Sequence, residues 1–193
     1  MNKKLPDGWK AVRLGEVCDC FDNKRIPLSD EIRRKKQGIY PYCGANGIVD
    51  YIDEYIFDDE LILLAEDGGN FNDFETKSIA YLMRGKFWVN NHAHIVKAKK
   101  DYYNLYIFYC LKHKDIRAHL SGGTRQKLNK SELEKIEIIL PPLPIQQRIA
   151  AILSKADEEV RLHKAITKKL EERNKGLAQR LLSGEIDLSG FNF

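Results

Sequence analysis

Residues 140–183 read LPPLPIQQRIAAILSKADEEVRLHKAITKKLEERNKGLAQRLLS. Beyond the stiff, extended hinge Leu140-Pro141-Pro142-Leu143-Pro144, the run holds no further proline and one glycine, Gly176. Apolar residues fall at Ile145, Ile149, Ile152, Ala156, Val160, Ile166, Leu170, Leu177 and Leu181. The gaps are mostly three, four or seven, which keeps one side of an α-helix apolar. Pro144 suits the first turn, where an N–H would have no helical partner. Ser183-Gly184 supplies the stop.

A helix of about 40 residues is a rod of roughly 60 Å. The residues before it, folded as one globule, have an expected radius of gyration of only about 14 Å. A helix lying on its own domain would leave much of its stripe uncovered. The spacing therefore predicts pairing with another long helix, supplied by a second copy because this chain holds one such run. Glu159, His163, Arg173 and Asn174 interrupt the stripe. Polar seam residues lower stability and fix register and orientation, so they specify the pairing.

Residues 1–143 have a different texture, with short apolar runs, many aromatics and Gly/Asn/Asp turns. They predict a mixed α+β domain. Tyr40–Cys43 and Ile48–Ile52 read as strands around the turn Gly44-Ala45-Asn46-Gly47. Glu60–Ala65 reads as a buried strand ending at the loop Glu66-Asp67-Gly68-Gly69-Asn70. Ser78–Met83 and Phe87–Ala98 read as strands joined by Arg84-Gly85-Lys86. Apolar spacing over Leu105–Leu120 predicts a helix, broken by Ser121-Gly122-Gly123-Thr124. Ser131 with Glu134 reads as a capping box, and Ile136–Leu140 as a closing strand. Three regions result: 1–143, the helix over 144–183, and a tail, 184–193.

The chain has 193 residues, 43% hydrophobic and 31% charged, enough for a real core and against wholesale disorder. Its apolar runs are too short to span a membrane, and its first residues carry no signal-peptide pattern, so a cytoplasmic, membrane-free protein is expected. Cys18, Cys20, Cys43 and Cys110 lack zinc-ligand spacing and read as plain thiols. A net charge of +4 permits an acidic partner without requiring one.

No phosphate-binding loop and no glycine-rich methyl-donor loop is present, so no cofactor is expected. Asp58-Asp59 with Glu75-Thr76-Lys77 matches a Mg²⁺-dependent nuclease pattern loosely, with Asp59, Glu75 and Lys77 as its candidate residues. Such a match arises readily in a highly charged chain. His92-Ala93-His94 lacks a third metal ligand. The basic stretches are Arg33-Arg34-Lys35-Lys36, read as a loop, and residues 112–130. The second surrounds the Gly122-Gly123 loop, where positive side chains suit phosphates and Arg, Gln or Asn suit base edges.

The segment Leu140–Asp157 resembles the proline hinge and helix start of the specificity subunits of type I restriction–modification enzymes. Leu5-Pro6-Asp7-Gly8-Trp9, Tyr40–Ile48, Asn90–His94 and Ser121–Thr124 with Leu128 resemble, in that order, stretches of their target recognition domain. The resemblance implies a DNA-reading domain followed by a helical spacer. It also implies antiparallel pairing of two such helices, association with methyltransferase subunits and, in the nuclease form, with motor–nuclease subunits. Family members usually carry two units per chain. This one carries a single unit, either a natural half-subunit or a fragment, and a homodimer reading a split palindrome is expected.

On this reading the chain performs no bond chemistry and presents duplex DNA to a partner that flips the target base. The candidate DNA-contacting residues are Asn46, Asn70, Asn91, His92, His94, Thr124, Arg125, Gln126 and Lys127. The nine apolar residues of the helix are the candidate dimerisation seam. Two rivals remain from other classes: a free-standing Mg²⁺ nuclease, and a coiled-coil adaptor that does not touch DNA.

Overall fold

A computed structural model describes residues 5–123 and 126–186. The chain divides into two units at Ala150. In order, the first contains β1 (Lys10–Arg13), α1 (Leu14–Val17), β2 (Cys18–Cys20), a 3₁₀ turn (Asp22–Lys24), α2 (Asp30–Lys35), β3 (Gln37–Gly44) and β4 (Gly47–Ile52). Then come β5 (Phe57–Ala65), β6 (Ala80–Val89), β7 (Ala93–Ala98), α3 (Asn104–Lys112), a 3₁₀ turn (Arg117–His119), β8 (Leu120–Ser121), β9 (Lys127–Leu128), α4 (Lys130–Leu133) and β10 (Glu137–Leu140). The long helix, α5, spans Leu143–Leu182.

Six strands form one sheet in the order β2-β7-β5-β6-β3-β4, and all pairings are antiparallel except β3 with β6. The central strand β5 carries Leu61-Ile62-Leu63-Leu64-Ala65, all buried, so it packs on both faces. One face meets Phe57, Phe87, Val89, Ala93 and Ile95. The other joins Ile107, Leu111, Ile116, Leu133, Ile138 and Leu140. β1 and β10 pair as a separate two-stranded ribbon, and β10 contributes its alternate residues Ile138 and Leu140 to that second core.

The sheet curls. β6 and β7 both lie antiparallel to β5, yet only Asn90-Asn91-His92 joins them. Three residues reach only about 10 Å, far less than the length of β5. β6 must therefore bend over the sheet, and Val89 accordingly shares a buried cluster with Leu63, Ala93 and Ile95.

The expected turn at Arg84-Gly85-Lys86 is thus corrected. β6 runs through it, still paired with Glu60, Asp59 and Asp58. Gly85 takes φ of 76°, a conformation open to glycine, and bends the strand without ending it. The true break falls at Asn90–His92, inside the stretch expected as one strand.

Three further expectations change. The helix expected to reach Leu120 ends at Lys112, and Asp115 accepts from the Arg117 N–H to start a separate 3₁₀ turn. The capping box at Ser131 does not form, because α4 starts two residues earlier, at Lys130, with Asn129 as N-cap. The basic run 33–36 is not a loop: α2 includes Arg33 to Lys35, its Ser29 cap accepts from the Ile32 N–H, and Asp30 and Glu31 sit in its first turn.

The helix appears where its periodicity placed it. Gly184, at φ of 73°, stops it, and the Glu185 N–H returns to the Arg180 carbonyl at 3.0 Å. Its first two turns belong to the first unit. Ala150 is fully buried, and Ile149 packs on the same core. Gln146, also buried, accepts from the Tyr103 N–H at 3.0 Å and donates to the Pro141 carbonyl at 2.8 Å. Ile149 and Ile145, the first two residues of the expected seam, are half-buried there. From Ile152 to Leu177 the stripe is exposed, with Ile152 at 69%, Val160 at 52% and Ile166 at 55%, and Leu181 is half-buried.

Candidate functional site

Four segments that are far apart in sequence meet at one end of the curled sheet. They are the β3–β4 turn, the loop after β5, the β6–β7 link and the β8–β9 region. Backbone hydrogen bonds join them: Glu66 N–H to the His92 carbonyl at 2.8 Å, and Leu128 N–H to the Glu66 carbonyl at 2.7 Å. The Asn46 amide donates to the Gly68 carbonyl at 2.9 Å, tying the first turn to the second loop.

Beneath this surface lies an ionic network. Arg25 Nη1 donates to Glu66 Oε2 at 2.5 Å and to the Ala93 carbonyl at 2.9 Å. Glu66 Oε1 meets Lys127 Nζ at 2.9 Å. His94 Nδ1 meets Asp22 Oδ2 at 2.5 Å, and His94 Nε2 donates to the Leu128 carbonyl at 2.7 Å. The other oxygen of Asp22 accepts from the Ile95 N–H at 2.9 Å.

Burial alone would raise the Asp22 carboxyl. The hydrogen bond and charge of His94, the Ile95 amide and Arg25 outweigh it and hold Asp22 below the usual carboxylate range. Burial likewise opposes ionisation of Glu66, and bonds from Arg25 and Lys127 with the charge of His94 bring it below its ordinary value.

The expected contact residues separate into groups. Asn46, Asn91 and Lys127 are exposed at this end, and His92 is partly exposed with its Nδ1 on Asp67 at 2.8 Å. Gln126 is half-buried beside them in sequence. Asn70 turns its amide to the Ser78 carbonyl at 3.1 Å and closes its own loop. His94 is 1% exposed with both ring nitrogens engaged, so it presents no edge to an outside partner. Thr124 and Arg125 lie outside the described residues.

The sequence reading missed Asp22, Arg25 and the side chain of Glu66. One signal was available: Glu66 follows a run of five buried apolar residues directly, where a charge must find partners. Asp22 and Arg25 gave none beyond their mutual i,i+3 pairing, because Glu66 and His94, which they also bind, are more than forty residues away in sequence.

The nuclease residues are not assembled as that reading required. Asp59 is paired with Lys97 at 2.6 Å and Lys77 with Asp73 at 2.7 Å, while Glu75 is exposed in a loop. Among the described residues, the one cluster of possible metal ligands is Asp22, Glu66 and His94, and the cations Arg25 and Lys127 already bond Glu66. Burial raises the Cys18 and Cys43 thiols to about 12 and Cys20 to about 11, which suits unreactive packing groups. No helix among the described residues is long and apolar enough to cross a membrane.

A curled mixed sheet that leads into a 40-residue helix is the fold of type I restriction–modification specificity subunits. The S subunit from M. genitalium matches with a TM-score of 0.73 at 18% identity, over 94% of this chain and 48% of that one. The HsdS subunit from Thermoanaerobacter tengcongensis matches with a TM-score of 0.60 at 18% identity, over 94% and 46%. The chain belongs to the family of the type I restriction modification DNA specificity domain, whose model matches residues 6–172. S.HindORF215P of Haemophilus influenzae, assigned as a type I restriction enzyme specificity subunit, is 39% identical over 155 residues, 78% of this chain and 38% of the relative. The EcoprrI specificity subunit of Escherichia coli is 28% identical over 149 residues, 77% and 36%. The chain spans less than half the length of these relatives.

Proposed function

We propose that this chain reads DNA sequence for a type I restriction–modification system in the cytoplasm. Its sheet-end loops meet the duplex, and its long helix sets the distance to a second reader. The observation that carries the reading is the convergence of four loops at one sheet end, in a member of a DNA specificity family. Asn46, Asn91, His92, Gln126 and Lys127, with Thr124 and Arg125, contact the DNA. Asn and Gln suit adenine, and Lys and Arg suit guanine or phosphate. Asn70 and His94 shape the loops instead.

The chain supplies positioning and leaves bond chemistry to methyltransferase and, in a nuclease form, motor–nuclease partners. Two copies pair antiparallel through Ile152, Ala156, Val160, Ile166, Leu170, Leu177 and Leu181, and the exposure of this stripe supports that pairing. A two-fold dimer reads a split palindrome with an unread spacer. Mapping of methylated sites, with the cognate methyltransferase co-expressed, tests both claims: a bipartite, two-fold target is expected, and a continuous or asymmetric target rejects the symmetric dimer. Light scattering at micromolar concentration should give the mass of a dimer.

A further inference from the structure

His94 is the most enclosed polar group in the ionic network, and its two ring nitrogens have different partners. Nε2 faces the Leu128 carbonyl, which can only accept, so this nitrogen carries hydrogen. Nδ1 faces Oδ2 of Asp22, which also lies 3.6 Å from the Arg25 guanidinium, and an ionised carboxylate there can only accept. A neutral ring satisfies only one of the two. The ring also lies 3.8 Å from Glu66, a second anion. Leu128 is held from both sides, its N–H on the Glu66 carbonyl and its carbonyl on His94.

We propose that His94 is a positioning residue: as a doubly protonated ring it clasps Asp22 to the Leu128 carbonyl and fixes β9 at the sheet end. Its significance for DNA rests on the proposed function, since Gln126 and Lys127 come immediately before the clasped residue. A role in packing alone requires only a ring of the right shape. The clasp requires both ring hydrogens and the negative charge of Asp22.

The test uses the whole chain. In ¹⁵N-histidine NMR at neutral pH, His94 should show hydrogen on both ring nitrogens, and Asp22→Asn should leave hydrogen on one. A ring with a single hydrogen in the unaltered protein overturns the proposal, whether or not any variant folds. In His94→Gln, hydrogen exchange at the Leu128 amide should rise by at least about tenfold. Amides of central β5 should hold their rates; an unchanged Leu128 rate, or a uniform rise everywhere, also overturns it. Binding to a pool of random-sequence duplexes is measured alongside and should weaken by about tenfold in His94→Gln. If the unaltered chain binds no duplex even with its methyltransferase while the two structural signatures hold, the clasp stands and the DNA reading falls.

Discussion

The first unit and the helix beyond Ala150 use their apolar residues in opposite ways. In the first unit, β5 is sealed on both faces, and no buried side-chain N or O among the described residues lacks a hydrogen-bond partner. Beyond Ala150 the apolar side chains repeat at helical spacing and remain in contact with water. The first pattern is that of a domain whose sequence satisfies itself. The second is the pattern expected for the proposed pairing with another helix, since isolated helices gain little from propensity alone. On the proposed function, recognition and spacing would therefore be separable, and substitutions should affect one without the other.

The largest separation is expected in the seam. Val160→Asp with Leu170→Asp places charge where the pairing buries apolar surface. Light scattering should then report a monomer at micromolar concentration, while the melting of the first unit is unchanged. A dimer that survives both substitutions would place the interface elsewhere.

That contrast also explains what could be read from the sequence. The helix was legible because periodicity, Pro144 and Ser183-Gly184 are local signals, and they located both its ends. The β3–β4 hairpin was legible for the same reason, through Gly44-Ala45-Asn46-Gly47. Gly85 misled because a glycine between two apolar runs has the same local appearance whether it turns a chain or bends a strand. Only the pairing of Asp59 with Gly85 distinguishes them. Of the candidate site, Asn46 and Asn91 stand out in the sequence as polar residues in turns and Lys127 as part of a basic stretch, whereas Asp22 and Arg25 meet Glu66 and His94 only through the curl of the sheet.

The next effect is confined to the first unit. Arg25 donates to Glu66 and to three backbone carbonyls, and its side chain is 15% exposed. Arg25→Ala removes the shortest ion pair of Glu66, which keeps Lys127 and the His94 ring nearby, and should destabilise the unit by about 3 kcal/mol, because a largely buried carboxylate loses a charged donor. Chemical denaturation measures this, with the dimer mass as the control that should not move.

A pH titration examines the same network. Asp22 and Glu66 both sit below their ordinary values in the folded state. Groups depressed in this way contribute stability that is fully present above their unfolded range, about pH 4, and that is lost as pH falls through the folded values. Thermal melts should therefore drop steeply below about pH 4. In Asp22→Asn the drop should be shallower, since one of the two linked protons is removed.

The smallest effect tests the start of the helix, within the first unit. Gln146 sits in the first turns of α5, buried, with its amide shared between Tyr103 and Pro141. Gln146→Ala leaves a backbone N–H and a carbonyl unpaired inside the domain and should cost about 1–3 kcal/mol of stability. Gln146→Leu fills the space without restoring either bond and should not recover that loss. If Gln146→Leu were instead as stable as the natural chain, the glutamine would serve by its volume alone. The two hydrogen bonds that join the start of the helix to the domain would then contribute nothing measurable.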